Sequence, residues 1–122
     1  MKKRGEGKII NMVDVSADRP WVGFLPYCTS KAGLGSLTIG LARALAPEVQ
    51  VNAIAPGYIE TDFNREFFAS DAGKAMIRRI PQRRLGLVSD LDGVLLLLAG
   101  DGSALMTGSI ITIDGGHSLA IA

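Results

Sequence analysis

Short apolar runs alternate with amphipathic stretches along this chain, and the alternation predicts its elements. Ile9-Ile10-Asn11-Met12-Val13 is a β-branched apolar run and reads as a buried strand. A loop with Asp18, Arg19, Pro20 and Gly23 follows; Pro26 then disfavours helix at Leu25 and suits a helix start just before Tyr27. From Ser30 to Ala46, Leu34, Leu37, Leu41 and Leu45 recur at helical spacing, and Pro47 ends the run. The segment from Val49 to Ala55 alternates enough for a second strand, stopped by Pro56-Gly57. Residues 61–80 have helical spacing and predict a mobile helical segment over a site, interrupted at Pro81. Ser89-Asp90 predicts the cap of a helix through Asp90–Ala99, ended by Gly100. Ser109–Ile113 predicts a third strand, bounded by Gly108 and by Gly115-Gly116.

The order β-α-β-α-β predicts an α/β fold, a parallel sheet of three strands with right-handed crossover helices. Parallel sheets are normally larger, and the run at 9–13 is apolar throughout, as a central strand would be. An exposed edge of that kind invites aggregation. Residues 1–122 therefore read as one unit that is part of a domain, without repeat or linker.

Composition narrows the function classes. The chain has 122 residues, 48% of them hydrophobic, enough for one core. A net charge of +1 gives no electrostatic case for nucleic acid or an anionic membrane. The run Val94–Ala99 falls far short of the 18 or more apolar residues a membrane span needs. Met1-Lys2-Lys3-Arg4 suits a signal-peptide start, but Gly5, Glu6, Gly7 and Lys8 follow and Asp14 cuts the apolar run short, so no export signal is expected. Cys28 is the sole cysteine, which excludes an internal disulfide and fits a reducing cytosol. A soluble cytoplasmic protein is expected.

The chemistry centres on Tyr27-Cys28-Thr29-Ser30-Lys31. Tyr27 and Lys31 stand one helical turn apart on a shared face. An ammonium beside a phenol favours phenolate, so the tyrosine pKa is expected below its usual value of about 10. A drop of roughly 3 units corresponds to about 4 kcal/mol and suits proton exchange with a substrate. Other candidates are weaker. His117 is the sole histidine, so no metal site is expected. Asp114-Gly115-Gly116 reads as a turn and not a phosphate loop, because no helix follows. Arg78, Arg79, Arg83 and Arg84 form a basic cluster, either a solvated helix end or a contact to an anionic substrate. Trp21 and Phe24, between Asp14 and Tyr27, either line a substrate pocket or simply pack.

Taken together, the strand G-K-I-I-N-M, the helix Y-C-T-S-K-A-G, the segment V-N-A-I-A-P-G-Y-I-E-T-D and the ending T-G-S-I-I-T-I-D-G-G closely resemble the C-terminal half of a short-chain dehydrogenase/reductase, from about Gly7 to Gly116. The resemblance implies the C-terminal half of a Rossmann-type doubly wound parallel sheet. It implies an oxidoreductase that moves hydride between NADP or NAD and a small-molecule substrate, with Tyr27 as the general acid/base. Lys31 would lower the tyrosine pKa and hold the nicotinamide ribose. Backbone groups around Pro56, Gly57 and Ile59, with the Thr61 hydroxyl, would hold the carboxamide. The resemblance also implies a dimer or tetramer through the helix that starts at Tyr27, whose Ala32, Gly33, Gly35, Ser36 and Gly40 allow close approach.

Asp14 departs from this pattern. The family places a serine thirteen residues before the tyrosine, to bond the substrate carbonyl, and here that position is aspartate. Pteridine reductases are the branch that looks like this, with the carboxyl group helping to protonate a C=N bond. A carboxylic acid can deliver a proton, whereas a serine hydroxyl mainly donates a hydrogen bond. Against this, P-G-Y-I-E-T-D is more like the sugar, polyol or oxoacyl reductases, and Ser16 offers a stand-in hydroxyl. Asp14 as a drifted position or a loop cap is the third reading.

The family's N-terminal Gly-rich turn, its N-N-A-G strand end and the asparagine of its tetrad have no counterpart in the sequence. Only the nicotinamide end of the cofactor site is encoded, and the expectation is a partial domain lacking its dinucleotide-binding half. Two classes follow: the catalytic half of an oxidoreductase, or a non-catalytic remnant or interaction module that pairs through its exposed strand edge.

Overall fold

A computed structural model describes residues 1–119. Three parallel strands, β1 (Gly7–Met12), β2 (Val49–Pro56) and β3 (Ile110–Ile113), form one sheet in the order β1-β2-β3. Gly7 registers with Val49 in one ladder and Ala53 with Ile110 in the other. β2 is therefore the central strand, which explains its apolar run: Val51, Ala53 and Ile54 have no solvent exposure. The 9–13 run, expected to be central, lies at an edge among the described residues. Its Val13 continues past the strand, donating its N–H to Ile54 O at 2.8 Å.

Helix α1 (Leu25–Leu45) connects β1 to β2, with Pro26 in its first turn, where a missing N–H costs nothing. Its Ala42 packs on Val49 and Val51, with Leu41 and Leu45 alongside. Leu34 packs on Val13, Ala53 and Ala55. These are the odd positions of β2, so one sheet face is buried under α1. Thr38, fully buried at the same contact, donates to Leu34 O at 2.8 Å and accepts from Asn11 Nδ2 at 3.0 Å.

Even positions of β2 carry polar anchors. Gln50 Nε2 donates to Ser103 O and Met106 O, and Asn52 Nδ2 donates to Met106 O at 3.0 Å. Asn52 Oδ1 accepts from Ser109 N at 3.0 Å, which adds a side-chain tie to the backbone bonds from Gly108 N to Val51 O and from Ala53 N to Ser109 O where the chain enters β3.

The segment expected as one helical stretch over 61–80 is two short helices, α2 (Arg65–Ala69) and α3 (Asp71–Ile77). Ser70 divides them in extended conformation and caps α3 through its hydroxyl, which accepts from Gly73 N. Gly73 lies so close to the Phe67 carbonyl that a Cβ there would sit 2.2 Å from it. Helix α4 spans Asp92–Ala99 and follows a 3-10 turn at Val88–Leu91. Asp90 accepts from Leu87 N and pairs with both Arg84 guanidinium nitrogens, so it caps the turn and not α4 itself. Gly100 ends α4, donating to Leu96 O and Leu97 O.

Candidate active site

Val13-Asp14 and Pro56-Gly57 continue from the carboxyl ends of β1 and β2, the side where open α/β sheets take their ligands. Asp14 is extended (φ −165°) and caps a 3-10 turn at Val15–Ala17, its Oδ1 accepting from Ser16 N at 2.8 Å. That turn leaves Oδ2 aimed at α1, where it accepts the Tyr27 hydroxyl at 2.9 Å. Lys31, one turn along α1, donates to Met12 O at 2.9 Å and stands 5.7 Å from the centre of the Tyr27 ring. Asp14, Tyr27 and Lys31 thus meet at one point, and Asp14 is a loop cap and a tyrosine partner at once.

The expected lowering of the Tyr27 pKa is not what this arrangement produces. Burial, then the hydrogen bond to Asp14 and the charge of Asp14, push Tyr27 up from 10.0 to about 12. The phenol's direct partner is a carboxylate, and Lys31 spends a donor on backbone. Tyr58 is also pushed up, first by burial and then by Asp14. Ser16 does not present a stand-in hydroxyl: β1 ends at Met12, and Ser16 lies buried in the 3-10 turn with its Oγ unpartnered.

At the second strand end, Gly57 donates to Ile113 O at 2.9 Å. A Cβ there would fall 2.6 Å from the Asp114 Cβ, so the β2–β3 approach requires glycine. Ile59 bridges to Gly86, and Asn64 holds the next residues by donating to Ile59 O at 2.8 Å and accepting from Thr61 N at 2.9 Å. Pro56, Gly57 and Ile59 line the same cleft as Asp14 and Tyr27; Thr61 is exposed outside it.

Trp21 and Phe24 do line that cleft, facing Phe67, Phe68 and Met76 of α2 and α3. Tyr58 is the lining residue that sequence reasoning missed. It stacks on Trp21 at 5.7 Å and lies 5.3 Å from Phe68 and 4.7 Å from the His117 ring. Its only sequence signal was its place directly after Pro56-Gly57. Asp114 turns the chain as expected, accepting from Gly116 N and Ser118 N, and these bonds hold its carboxyl below the usual range against the opposing pull of burial. Of the arginine cluster, Arg84 is paired with Asp90, and none of the four lines the cleft. Among the described residues, no group of three or more His, Cys, Asp or Glu is placed to hold a metal, and no helix is long and apolar enough to cross a membrane.

Comparison with known proteins identifies the family. A family model described as enoyl-(acyl carrier protein) reductase matches residues 1–118. The chain is 38% identical over 121 residues to 3beta-hydroxysteroid dehydrogenase 1 of Eggerthella lenta, covering 98% of this chain and 46% of that protein. It is 38% identical over 117 residues to a 3-oxoacyl-(acyl-carrier-protein) reductase of Pseudomonas aeruginosa, covering 95% of this chain and 47% of the other. Its structure matches a gluconate 5-dehydrogenase from Burkholderia cenocepacia, solved with NADP and tartrate, at TM-score 0.92 and 34% identity, over 98% of this chain and 48% of that one. The chain spans about half the length of the relatives it matches. With the parallel sheet, the Tyr27–Lys31 helix and the strand-end loops arranged as described, the chain belongs to the short-chain dehydrogenase/reductase family.

Proposed function

We propose that this chain forms the proton-transfer and nicotinamide-facing end of an NAD(P)-dependent oxidoreductase acting on a C=O or C=N bond. The observation that carries this is the 2.9 Å bond from the Tyr27 hydroxyl to Asp14 at the carboxyl end of β1, with Lys31 locked beside it.

The donor set suits a nicotinamide nucleotide. Two of the three Lys31 ammonium protons remain for ribose hydroxyls once Met12 O is satisfied. Gly57 N–H is committed to Ile113 O and Pro56 has none, so those two supply shape and carbonyls. Donors toward a carboxamide come from the Ile59 N–H and the Thr61 hydroxyl. A bound nicotinamide supplies or accepts the hydride.

With a pKa of about 12, Tyr27 is a phenol at neutral pH and acts as the proton donor in reduction. Giving up that proton leaves phenolate charge beside the Asp14 carboxyl group, and the Lys31 ammonium is the nearby cation that offsets it. Asp14 in the serine's place orients the Tyr27 hydroxyl, and a carboxyl group there suits a C=N substrate of pterin type.

The test uses the chain co-expressed with an N-terminal half from a family relative that carries the Gly-rich turn. NADPH and NADH oxidation is followed with pterin and ketone substrates. Tyr27→Phe is expected to lower turnover about 10²–10⁴-fold while leaving cofactor affinity nearly unchanged. Retained turnover overturns the assignment.

A further inference from the structure

The cleft that opens at the Tyr27 hydroxyl encloses about 900 Å³, the size of a small-molecule site. Its walls are rings and apolar chains. Trp21 and Tyr58 stack with planes 23° apart, and Phe67 meets Phe68 edge-on at 5.2 Å. Phe24 and Phe67 remain 61% and 48% exposed, so apolar surface stands open at the mouth.

Charge in the cleft is one-sided. Among the described residues that line it, Asp14 is the only charged side chain, and Lys31, 5.7 Å from the Tyr27 ring centre, is not one of the lining residues. A substrate carboxylate or phosphate there would meet Asp14 at the wall itself, with the Lys31 ammonium held on Met12 O outside the lining, inside walls that screen poorly. A flat ring instead gains stacking and burial on Trp21, Tyr58 and Phe68.

We propose that the cleft selects an uncharged, flat, ring-bearing ketone or imine and rejects anionic substrates such as sugar acids. This rests on the reading of Tyr27 and Asp14 as the reacting end, since that pair closes one side of the cleft. The aromatic wall sets affinity, and the Asp14 charge sets the discrimination.

Trp21 is the only tryptophan, so its indole N–H gives one resonance that reports on the cleft. The nitrogen-15-labelled chain is titrated with acetonaphthone, a neutral aryl ketone, and with naphthoate, its anionic counterpart. Acetonaphthone is expected to shift the Trp21 resonance saturably, and naphthoate to need at least about tenfold more ligand. Asp14→Asn should shrink that gap to within about threefold. Phe67→Asp, at an exposed position that the core does not need, should weaken acetonaphthone about tenfold. Equal binding of ketone and carboxylate, an unmoved Trp21 resonance, a gap unaltered by Asp14→Asn, or full binding by Phe67→Asp would each overturn the proposal. No cofactor or turnover enters this measurement. Its failure is therefore distinct from a failure of Tyr27→Phe to stop catalysis.

Discussion

Two neighbours compete for the proton balance of Tyr27. Lys31 favours phenolate but stands 5.7 Å from the ring centre with one donor on Met12 O, whereas Asp14 bonds the hydroxyl itself. Burial raises the phenol most and the Asp14 hydrogen bond and charge add to it, so it stands at about 12. Replacing Asp14 with asparagine removes the charge and keeps the shape, so the Tyr27 pKa should fall toward its ordinary value of about 10. Tyr58, raised in part by the same charge, should fall with it. Tyrosinate absorbance against pH reads both, and Tyr27→Phe identifies which step belongs to Tyr27. The sign for stability follows. A raised folded-state pKa favours the protonated phenol, so this contribution is complete below about 10 and is lost as pH rises through about 12. The Asp14→Asn chain should lose less stability across that alkaline window. The Tyr27–Lys31 spacing and the position of Asp14 were legible because both are local. The bond between Asp14 and Tyr27 was not, because it depends on the 3-10 turn at Val15–Ala17 that re-aims Asp14 after β1 ends.

Elements with a strong period were legible, and those made by tertiary ties were not. The apolar run of β2 and the leucine spacing of α1 predict strand and helix, and both form within a few residues of the expected bounds. The 61–80 stretch divides because Ser70 caps α3 and Gly73 admits the Phe67 carbonyl, a close approach that a helical period does not reveal. Strand order was equally hidden, since β1 is as apolar as a central strand yet pairs on one side among the described residues. Beside the backbone bonds from Gly108 N to Val51 O and from Ala53 N to Ser109 O, side-chain chemistry ties β3 to β2, chiefly through Asn52, which is 2% exposed and bonds Met106 O and Ser109 N. Asn52→Leu strands the Ser109 N–H, costing about 1–3 kcal/mol, and removes one of the two bonds to Met106 O, which keeps the one from Gln50. Urea denaturation should show the chain destabilised by a few kcal/mol. Loss below about 0.5 kcal/mol would mean the loop holds without this anchor.

At the scale of the whole molecule, the proposed nicotinamide-facing end stands beside an open flank. Met12 at the end of β1 is 44% exposed, and Leu96 on α4 is 73% exposed. The sequence carries no Gly-rich turn at a helix start that would cradle a pyrophosphate. The groups proposed to meet a dinucleotide, Lys31 and Ile59 with the exposed Thr61 hydroxyl, would all address its nicotinamide nucleoside. This chain should therefore bind nicotinamide mononucleotide and full-length NADP with affinities within about threefold of each other, because the adenosine end finds no partner. Calorimetry or the shift of the Trp21 indole resonance measures both. Supplying a family N-terminal half should open a gap of at least about tenfold in favour of NADP, since the phosphates then gain a helix N-terminus. A chain that on its own already bound NADP tenfold tighter than the mononucleotide would hold a phosphate site elsewhere on its surface. That result would overturn the assignment of these residues to the nicotinamide end alone.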